Sequence, residues 1–268
     1  MAIRRIISKW EKTKAILGNV QLNDYIPRTE IFTEPELALM LDQYNMVYVK
    51  PDKGTFGSGV IRIERRMDAY GGQHYQFQIG TKINRPDDYQ SLISGLRQRI
   101  RNRPYLVQQG IELLQHKGRR FDLRVMVQQS PRKQWETTGI IGRLAHPHKI
   151  VTNYHSGGTP LSFERLMAGH IDVADQPEFL FRLRQLGTDI AAQLQSVYPG
   201  IKELGIDVAL DAQLKPWILE VNTLPDPFLF RKLKDKRVFR KVYRYAVAYG
   251  RFKRKRSRTQ KSYSIYKR

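Results

Sequence analysis

Two carboxylates and a side-chain amide form the clearest chemical pattern in the chain. Asp207 lies in one alternating apolar–polar run, and Glu220 and Asn222 lie in the next, as expected for two strands. In a symmetric hairpin Asp207 falls directly opposite Glu220, with about 5 Å between the Cβ atoms. Hard oxygen donors suit Mg²⁺, so we predict that these three side chains bind a divalent metal. Leu219 and Val221 are then expected to face away from it. The alternative is a hairpin whose polar face contacts only water.

A glycine-rich loop follows the predicted strand that carries Lys50. Its Gly54, Gly57, Ser58 and Gly59 allow backbone N–H groups to approach a phosphate closely. The loop is not a Walker A motif, because a Val-Ile pair stands where that motif requires Lys followed by Ser or Thr. Taken alone it is also consistent with an ordinary hairpin turn; the lysine on the preceding strand favours phosphate binding.

Two arginines and a later turn add candidate anion contacts. Arg124 and Arg143 lie in predicted strands, and a guanidinium fork matches a polyphosphate or a carboxylate. Asn153 precedes the pair Gly157 and Gly158, whose turn is predicted to present backbone donors to an anionic substrate. The alternative for each arginine is a surface charge in a basic protein.

The segment from Tyr105 to Glu112 is typical of a strand that ends in a turn. Backbone groups at its edge could bind an adenine base, and Glu112 could bind ribose hydroxyls. Without the neighbouring motifs, an ordinary strand and turn would be the better interpretation.

The remaining pattern predicts the elements that must position these groups. Helices are predicted over 8–17, 87–101, 177–197 and about 234–250, with another starting at 33–36, and strands over 46–50, 60–63, 74–83, 105–109, 121–129, 135–144, 204–211 and 216–222. Strands often follow one another directly, and 121–129 and 135–144 are expected to pair antiparallel. This order favours an α+β fold over a doubly wound sheet.

Composition limits the classes of protein to consider. The 268 residues include no cysteine, which excludes disulfides and cysteine catalysis. No apolar run approaches the roughly 18 residues of a membrane span, and we expect a cytoplasmic protein. The net charge of +22 favours polyanion binding. Residues 251–268 hold nine Lys or Arg and no acid, so this tail is either a polyanion anchor or a solvated, disordered end.

The order of these motifs resembles the ATP-grasp superfamily, and in particular the YheC/YheD family of endospore coat-associated proteins. The resemblance is carried by 50–54, 121–124, 153–158 and 219–222. The chain is more distantly similar to D-alanine ligases and to glutamate ligases that modify ribosomal proteins. The resemblance to the ATP-grasp superfamily implies an ATP-grasp fold. Its lid subdomain would span 46–112, and its metal and substrate subdomain would span 113–250. An N-terminal helical segment, 1–45, would stand where a larger domain is usual, and 251–268 would be the tail.

The resemblance also implies the role of each candidate residue. Lys9 and Lys50 would contact the α- and β-phosphates beneath a lid formed by residues 54–59. Arg143, supported by Arg124, would stabilise the transferred phosphoryl group. The adenine pocket would be lined by Gln108, Gln109, Gly110 and Ile111, and Asp207, Glu220 and Asn222 would bind one or two Mg²⁺ ions.

Three functions follow as hypotheses. The first is an ADP-forming ligase that joins an unknown carboxylate to an amine or thiol through an acylphosphate. The second is an ATP-binding protein of the spore without ligase turnover, and the third is a polyanion-binding protein that uses the tail.

Overall fold

The first sheet carries the glycine-rich loop and the segment predicted to bind adenine. The computed structural model describes residues 3–67, 71–100 and 103–253. In this part of the chain the first sheet has the order β1-β6-β2-β3-β4-β5, and every neighbouring pair is antiparallel. Its elements are β1 Thr29–Ile31, α3 Glu34–Tyr44, β2 Met46–Pro51, β3 Ile61–Met67, β4 Gln73–Ile79, β5 Lys82–Asn84, α4 Tyr89–Ile100 and β6 Tyr105–Gln109.

The second sheet carries the arginines and the acidic hairpin. Its order is β10-β9-β8-β11-β12, again antiparallel throughout, with the short β7 paired to β8. Its strands are β7 Gln115–His116, β8 Arg119–Gln129, β9 Trp135–Leu144, β10 Thr159–Leu161, β11 Glu203–Leu210 and β12 Pro216–Asn222. Its helices are α1 Lys9–Leu17, α2 Val20–Asn23, α5 Phe163–Met167, α6 Gln176–Val197 and α7 Lys236–Ala248, with 3₁₀ turns at Tyr154–Ser156 and Phe228–Lys232. The α+β fold predicted from the sequence is confirmed.

Helix starts follow the capping signals in the sequence. Ser8 caps α1 by accepting a hydrogen bond from the N–H of Glu11, and Thr33 caps α3 in the same way. Pro35 lies in the first turn of α3, where its missing N–H costs nothing. The predicted strand over 74–83 is instead two strands, because the chain turns at Gly80 with φ +58°.

Each sheet packs on its own core. α3 and α4 cover the first sheet, whereas α1, α2 and α6 cover one face of the second through Ile16, Leu22 and Ile190. The opposite face of the second sheet is divided between charged side chains and a small apolar cluster formed with α7. The predicted N-terminal segment 1–45 is therefore not a separate unit, because α1 and α2 join the second core and α3 joins the first.

One buried carboxylate joins both ends of the described chain to the second sheet. Glu203 is fully buried in β11 and pairs with Arg5 and Arg251, each at 2.7 Å, while the Tyr249 hydroxyl donates to it at 2.6 Å. Phe252 stacks on Tyr243. Residues 251 and 252, at the start of the predicted tail 251–268, therefore contact the fold. Residues 254–268 lie outside the described chain. No described helix combines the length and apolarity that a membrane crossing requires.

Candidate functional site

A narrow cleft of about 100 Å³ lies between the two sheets. The first sheet contributes Lys50 and Gln108 to its lining, and the second contributes Arg143, Asp207 and Glu220. Ile111, Gln109, Asn153 and Gly57 also line it. The structure thus brings about half of the residues singled out in the sequence into the lining of one cleft.

The side chain of Lys50, on β2 of the first sheet, reaches β12 of the second sheet. Its Nζ donates to Gln108 Oε1 at 2.8 Å and to the carbonyl oxygen of Leu219 at 3.0 Å. Burial lowers the pKa of Lys50 to about 8, and the neighbouring Glu220 partly offsets that effect. A buried ammonium with neutral acceptors gains from an anion placed beside it.

Two lysines of α1 extend this positive region. Lys9 donates to the carbonyl oxygens of Pro51 and Gly54 at 3.0 and 3.1 Å, and its Nζ lies 3.9 Å from Glu220. Lys12 donates to the carbonyl of Ile6. Burial lowers the pKa of Lys12 to about 8 as well. The two lysines share one face of the helix because they are three residues apart.

The carboxylate of Asp207 is held by both arginines. Arg124 Nε donates to Asp207 Oδ1 at 2.6 Å, and Arg143 Nη2 lies 2.9 Å from Asp207 Oδ2. Burial would raise the pKa of Asp207, but the two guanidinium groups outweigh it, so the pKa lies below its usual value. Arg143 also pairs with buried Asp122 through Nε at 2.8 Å and Nη2 at 2.5 Å.

The predicted pairing of Asp207 with Glu220 is confirmed, but the hairpin is not symmetric. The register shifts by one residue between Asp207 and Val208. Because of this bulge Leu219 lines the cleft beside Glu220, while Ile218 and Val221 are buried in the core. The expectation that Leu219 faces away was wrong, since an extra residue on one strand reverses the alternation beyond it.

The donor set at the hairpin fits a magnesium ion. Glu220 lies opposite Asp207, and Asn222 lies two residues further on the same face, opposite Gly205. Among the described residues no three His, Cys, Asp or Glu side chains form a metal-binding group, so the set is two carboxylates and one amide. Mg²⁺ commonly takes few protein ligands and completes its shell with phosphates and water. Both Asp207 oxygens already accept from arginine, which leaves only their remaining lone pairs for a metal.

The glycine-rich loop folds against the second sheet. Gly54, Gly57 and Gly59 all have positive φ, and Phe56 is also left-handed with φ +61°. The Phe56 carbonyl accepts from Ser156 Oγ at 3.0 Å, and its ring meets His155 with centroids 4.4 Å apart. Ser58 donates its N–H to Thr55 within the turn. The loop therefore covers the cleft as a lid would.

The turn at residues 153–158 differs from the prediction. The N–H of Gly157 donates to Tyr154 O at 2.9 Å, and the N–H of Gly158 donates to Asn153 O at 3.1 Å. Neither of these two N–H groups is free for an anion in this conformation. A Cβ on Gly158 would lie 2.1 Å from Thr152 O. Glycine is needed at this position because the backbone of Thr152 approaches it too closely for a side chain. Asn153 does line the cleft.

Only part of the predicted adenine segment reaches the cleft. Gln108, Gln109 and Ile111 line it, but Gly110 and Glu112 do not. The N–H of Gly110 donates to Met46 O. Glu112 is 73% exposed at its side chain, with Arg62 3.7 Å away, so this conformation does not support its predicted ribose contact.

Sequence reasoning missed three polar residues that complete the site, namely Lys12, Asp122 and Thr152. Lys12 shares a helix face with Lys9, and that i, i+3 spacing could have identified it. Asp122 orients Arg143 and accepts from Thr152 Oγ1 at 2.7 Å. The alternation of Asp122 with Arg124 was visible, but only the sheet pairing shows which arginine Asp122 binds.

Comparison with known proteins agrees with this arrangement. The profile of the family described as YheC/D-like ATP-grasp matches residues 2–252. Endospore coat-associated protein YheD of Bacillus subtilis (strain 168) is 25% identical over 232 residues, covering 85% of this chain and 50% of YheD. Endospore coat-associated protein YheC of the same strain is 22% identical over 224 residues, covering 83% of this chain and 61% of YheC. The chain thus spans about half to three-fifths of the length of these relatives.

A solved structure is also similar. N5-carboxyaminoimidazole ribonucleotide synthetase from Thermotoga maritima aligns with a TM-score of 0.49 and 12% identity, covering 91% of this chain and 48% of that one. The ATP-grasp fold generally binds ATP with Mg²⁺. Since the family profile spans nearly the whole sequence, this chain belongs to the YheC/D-like ATP-grasp family.

Proposed function

We propose that the cleft binds Mg-ATP and that the protein is an ADP-forming ligase, joining a carboxylate to an amine or thiol. The observation that carries the proposal is the bond from Lys50 to the carbonyl of Leu219, beside Glu220. It supports the proposal because it brings a buried ammonium group of one sheet next to the carboxylates of the other, as a phosphate chain with its metal would require. The cleft lining has two cations, Lys50 and Arg143, and three carboxylates, Asp122, Asp207 and Glu220. Behind that lining lie three more cations, Lys9, Lys12 and Arg124, and one more carboxylate, Asp52, so positive charge is in slight excess around the cleft.

Each side chain then has a defined task. Lys50, Lys9 and Lys12 bind the phosphates, and Asp207, Glu220 and Asn222 hold Mg²⁺, which neutralises phosphate charge. Gln108, Gln109 and Ile111 line the adenine end, and the lid at 54–59 excludes water. An acceptor carboxylate attacks the γ-phosphorus and releases ADP; the amine or thiol then attacks the acyl carbon and releases phosphate. Arg143 stabilises the transferred phosphoryl group. Asp122 orients Arg143, and Arg124 assists it.

A second candidate is ATP binding without turnover. Both oxygens of Asp207 are bound by arginine, an arrangement that also suits a structural ion-pair network. The relatives are named as endospore coat-associated, which supports spore association for this protein under either candidate.

Thermal unfolding with and without Mg-ATP tests the proposal in the wild type and in Glu220→Gln. Ligand at 100 times its Kd should stabilise the wild type by about 2.7 kcal/mol, which raises Tm by about 5–10 °C. The Glu220→Gln variant should lose most of that shift, because the metal loses a carboxylate.

Glu178→Gln is the matched control, because Glu178 is exposed on α6. It should retain the full shift. An equal shift in Glu220→Gln would contradict the metal assignment, and no shift in any protein would reject the nucleotide site. A normal shift without ADP release from any carboxylate and amine pair would favour the second candidate.

A further inference from the structure

A large groove of the described surface is separate from the nucleotide cleft. It has a volume of about 820 Å³ and runs along the outer edge of β9, between α6 and the segment that leads into α7. Four consecutive β9 residues, 137–140, line it. Successive side chains of a strand point to opposite faces, so a groove lined by all four runs along the edge of the sheet.

That edge has no strand partner among the described residues over most of its length, and of the four lining residues Thr137 and Ile140 are half-buried. β10 pairs with β9 only from Gly142 to Leu144, and no other described strand joins β9 on that side. Backbone N–H and C=O groups at a sheet edge are ready to pair with an added strand. The half-buried side chains of Ile140, Leu161, Leu180 and Val238 provide apolar contacts along the groove.

The charge of the groove selects the kind of partner. Arg165, Arg184, Lys232 and Lys234 line it, against Glu164 and Asp235. Asp235 is already paired with Arg237 at 3.0 Å, and no carboxylate in the described chain pairs with Arg184 or Lys234. An occupant with negative charge is therefore favoured.

Charge, aromatic exposure and strand register distinguish between the possible occupants of the groove. A second copy of this chain would bring a net charge of +22 against a positive groove. Single-stranded nucleic acid binds through exposed aromatic rings, but Phe163, the aromatic residue of the lining, is 3% exposed. A register shift in β9 opposite Met126 and Val127 limits straight pairing to a short stretch, which favours a short segment.

We infer that this groove binds an extended acidic peptide, which adds as a strand to the open edge of β9 next to β10. One end of the groove meets the turn that supplies Asn153 to the cleft, since Lys232 Nζ lies 5.6 Å from the centre of the Tyr154 ring. A bound peptide is thereby held beside the nucleotide cleft. The inference does not depend on ATP binding or turnover.

The test uses a fluorescent six-residue peptide that alternates glutamate and valine, with binding followed by anisotropy. Arg184→Glu and Lys234→Glu should each weaken binding at least fivefold. Arg182→Glu should change it less than twofold, because Arg182 is exposed on the same helix outside the groove. Unfolding curves without ligand establish that all three variants are folded.

Two further peptides separate strand addition from general charge attraction. A peptide methylated on alternate amide nitrogens keeps its charge but loses the N–H donors, and it should not bind. A peptide with lysine in place of glutamate should not bind either. Equal binding of the methylated peptide, or an equal loss in Arg182→Glu, would overturn the inference. A third result would also overturn it: single-stranded RNA binds to the wild type and more weakly to Arg184→Glu, while the acidic peptide does not bind.

Discussion

Asp122 and Asp207 share Arg143 between them, and this buried network sets the position of the guanidinium before any ligand arrives. Arg143 and Asp122 are 3% and 2% exposed at their side chains. Burial would lower the pKa of Arg143, but the two carboxylates outweigh it and raise the pKa above its usual value, so the guanidinium stays charged. A fixed charge of this kind suits a developing negative charge, because it needs no reorganisation during the reaction.

Asp122→Asn should destabilise the fold, because it leaves Arg143 with one buried anion and weakens the bond from Thr152. Breaking a buried ion pair from one side costs about 3 kcal/mol, measurable as a lower free energy of unfolding in urea. Asp172→Asn, at an exposed position, should change it by less than about 0.5 kcal/mol. Equal effects of the two variants would show that the Asp122 pair is energetically unimportant.

We expect the buried lysines to make nucleotide binding depend on pH. Lys50 and Lys12 have pKa values of about 8 instead of 10.5, so near pH 8 each is partly deprotonated. Bound phosphate favours the charged form and raises both pKa values. ATP binding at pH 8 should therefore take up protons, and affinity should fall as pH rises above 8.

Calorimetry at pH 8 in two buffers of different ionisation enthalpy measures that proton uptake directly. An observed enthalpy that is independent of the buffer would contradict the prediction. The free energy of unfolding without ligand should depend on pH in the opposite direction. Between about pH 8 and 10.5 the folded state binds fewer protons at these lysines than the unfolded state, so their contribution to stability rises with pH.

At the scale of elements, the lid and the hairpin bulge each provide a backbone carbonyl that accepts a hydrogen bond from the opposite half of the molecule. A symmetric hairpin predicts the facing pair of Asp207 and Glu220 correctly. The strands nearer the turn pair one residue out of that register, and the bulge beside Asp207 restores it. The sequence could not predict the bulge, which depends on how Ile218 and Val221 fit the core on the other side of β12. The hydrogen bond from Lys50 to the carbonyl oxygen of Leu219 was not predicted, for the same reason.

Gly57→Ala should weaken Mg-ATP binding by about tenfold, or about 1.4 kcal/mol. The added Cβ would lie 2.9 Å from Asn153 Oδ1 and 3.1 Å from Val151 Cγ1, so the lid could not close on the turn. Gly71→Ala is the control, since Gly71 has similar φ, +82°, with nothing within 4 Å of the added Cβ. Both substitutions add backbone strain of about 1 kcal/mol, but only the first should change the calorimetric Kd. A similar Kd in both variants would mean that lid closure does not need this contact.

At the scale of the whole molecule, the fold was predictable to the level of two antiparallel α+β units. Helix caps and strand alternation are local signals, and they identified α1, α3, β8 and β9 correctly. The division of residues 1–45 between the two cores was not visible, because Ile16 and Leu41 are equally apolar in sequence and differ only in the sheet they contact.

Truncation after Lys253 should leave the fold and Mg-ATP binding intact. It removes seven Lys or Arg residues from the sequence but keeps the Arg251 pair with Glu203. Binding to a polyanion such as heparin should weaken, and its dependence on salt should become shallower. An unchanged salt dependence would exclude residues 254–268 as the anchor. Truncation after Gly250 should in addition lower Tm.

The shared attachment of Arg5 and Arg251 to Glu203 has a practical consequence for engineering. Because both guanidinium groups contact one carboxylate, the two ends of the described fold lie side by side on β11. A short flexible linker can therefore close the chain into a ring, and new ends can be opened at an exposed loop such as the turn at Gly71. A circular permutant of that kind would move the chain ends from β11 to the end of β3 that is opposite the lid.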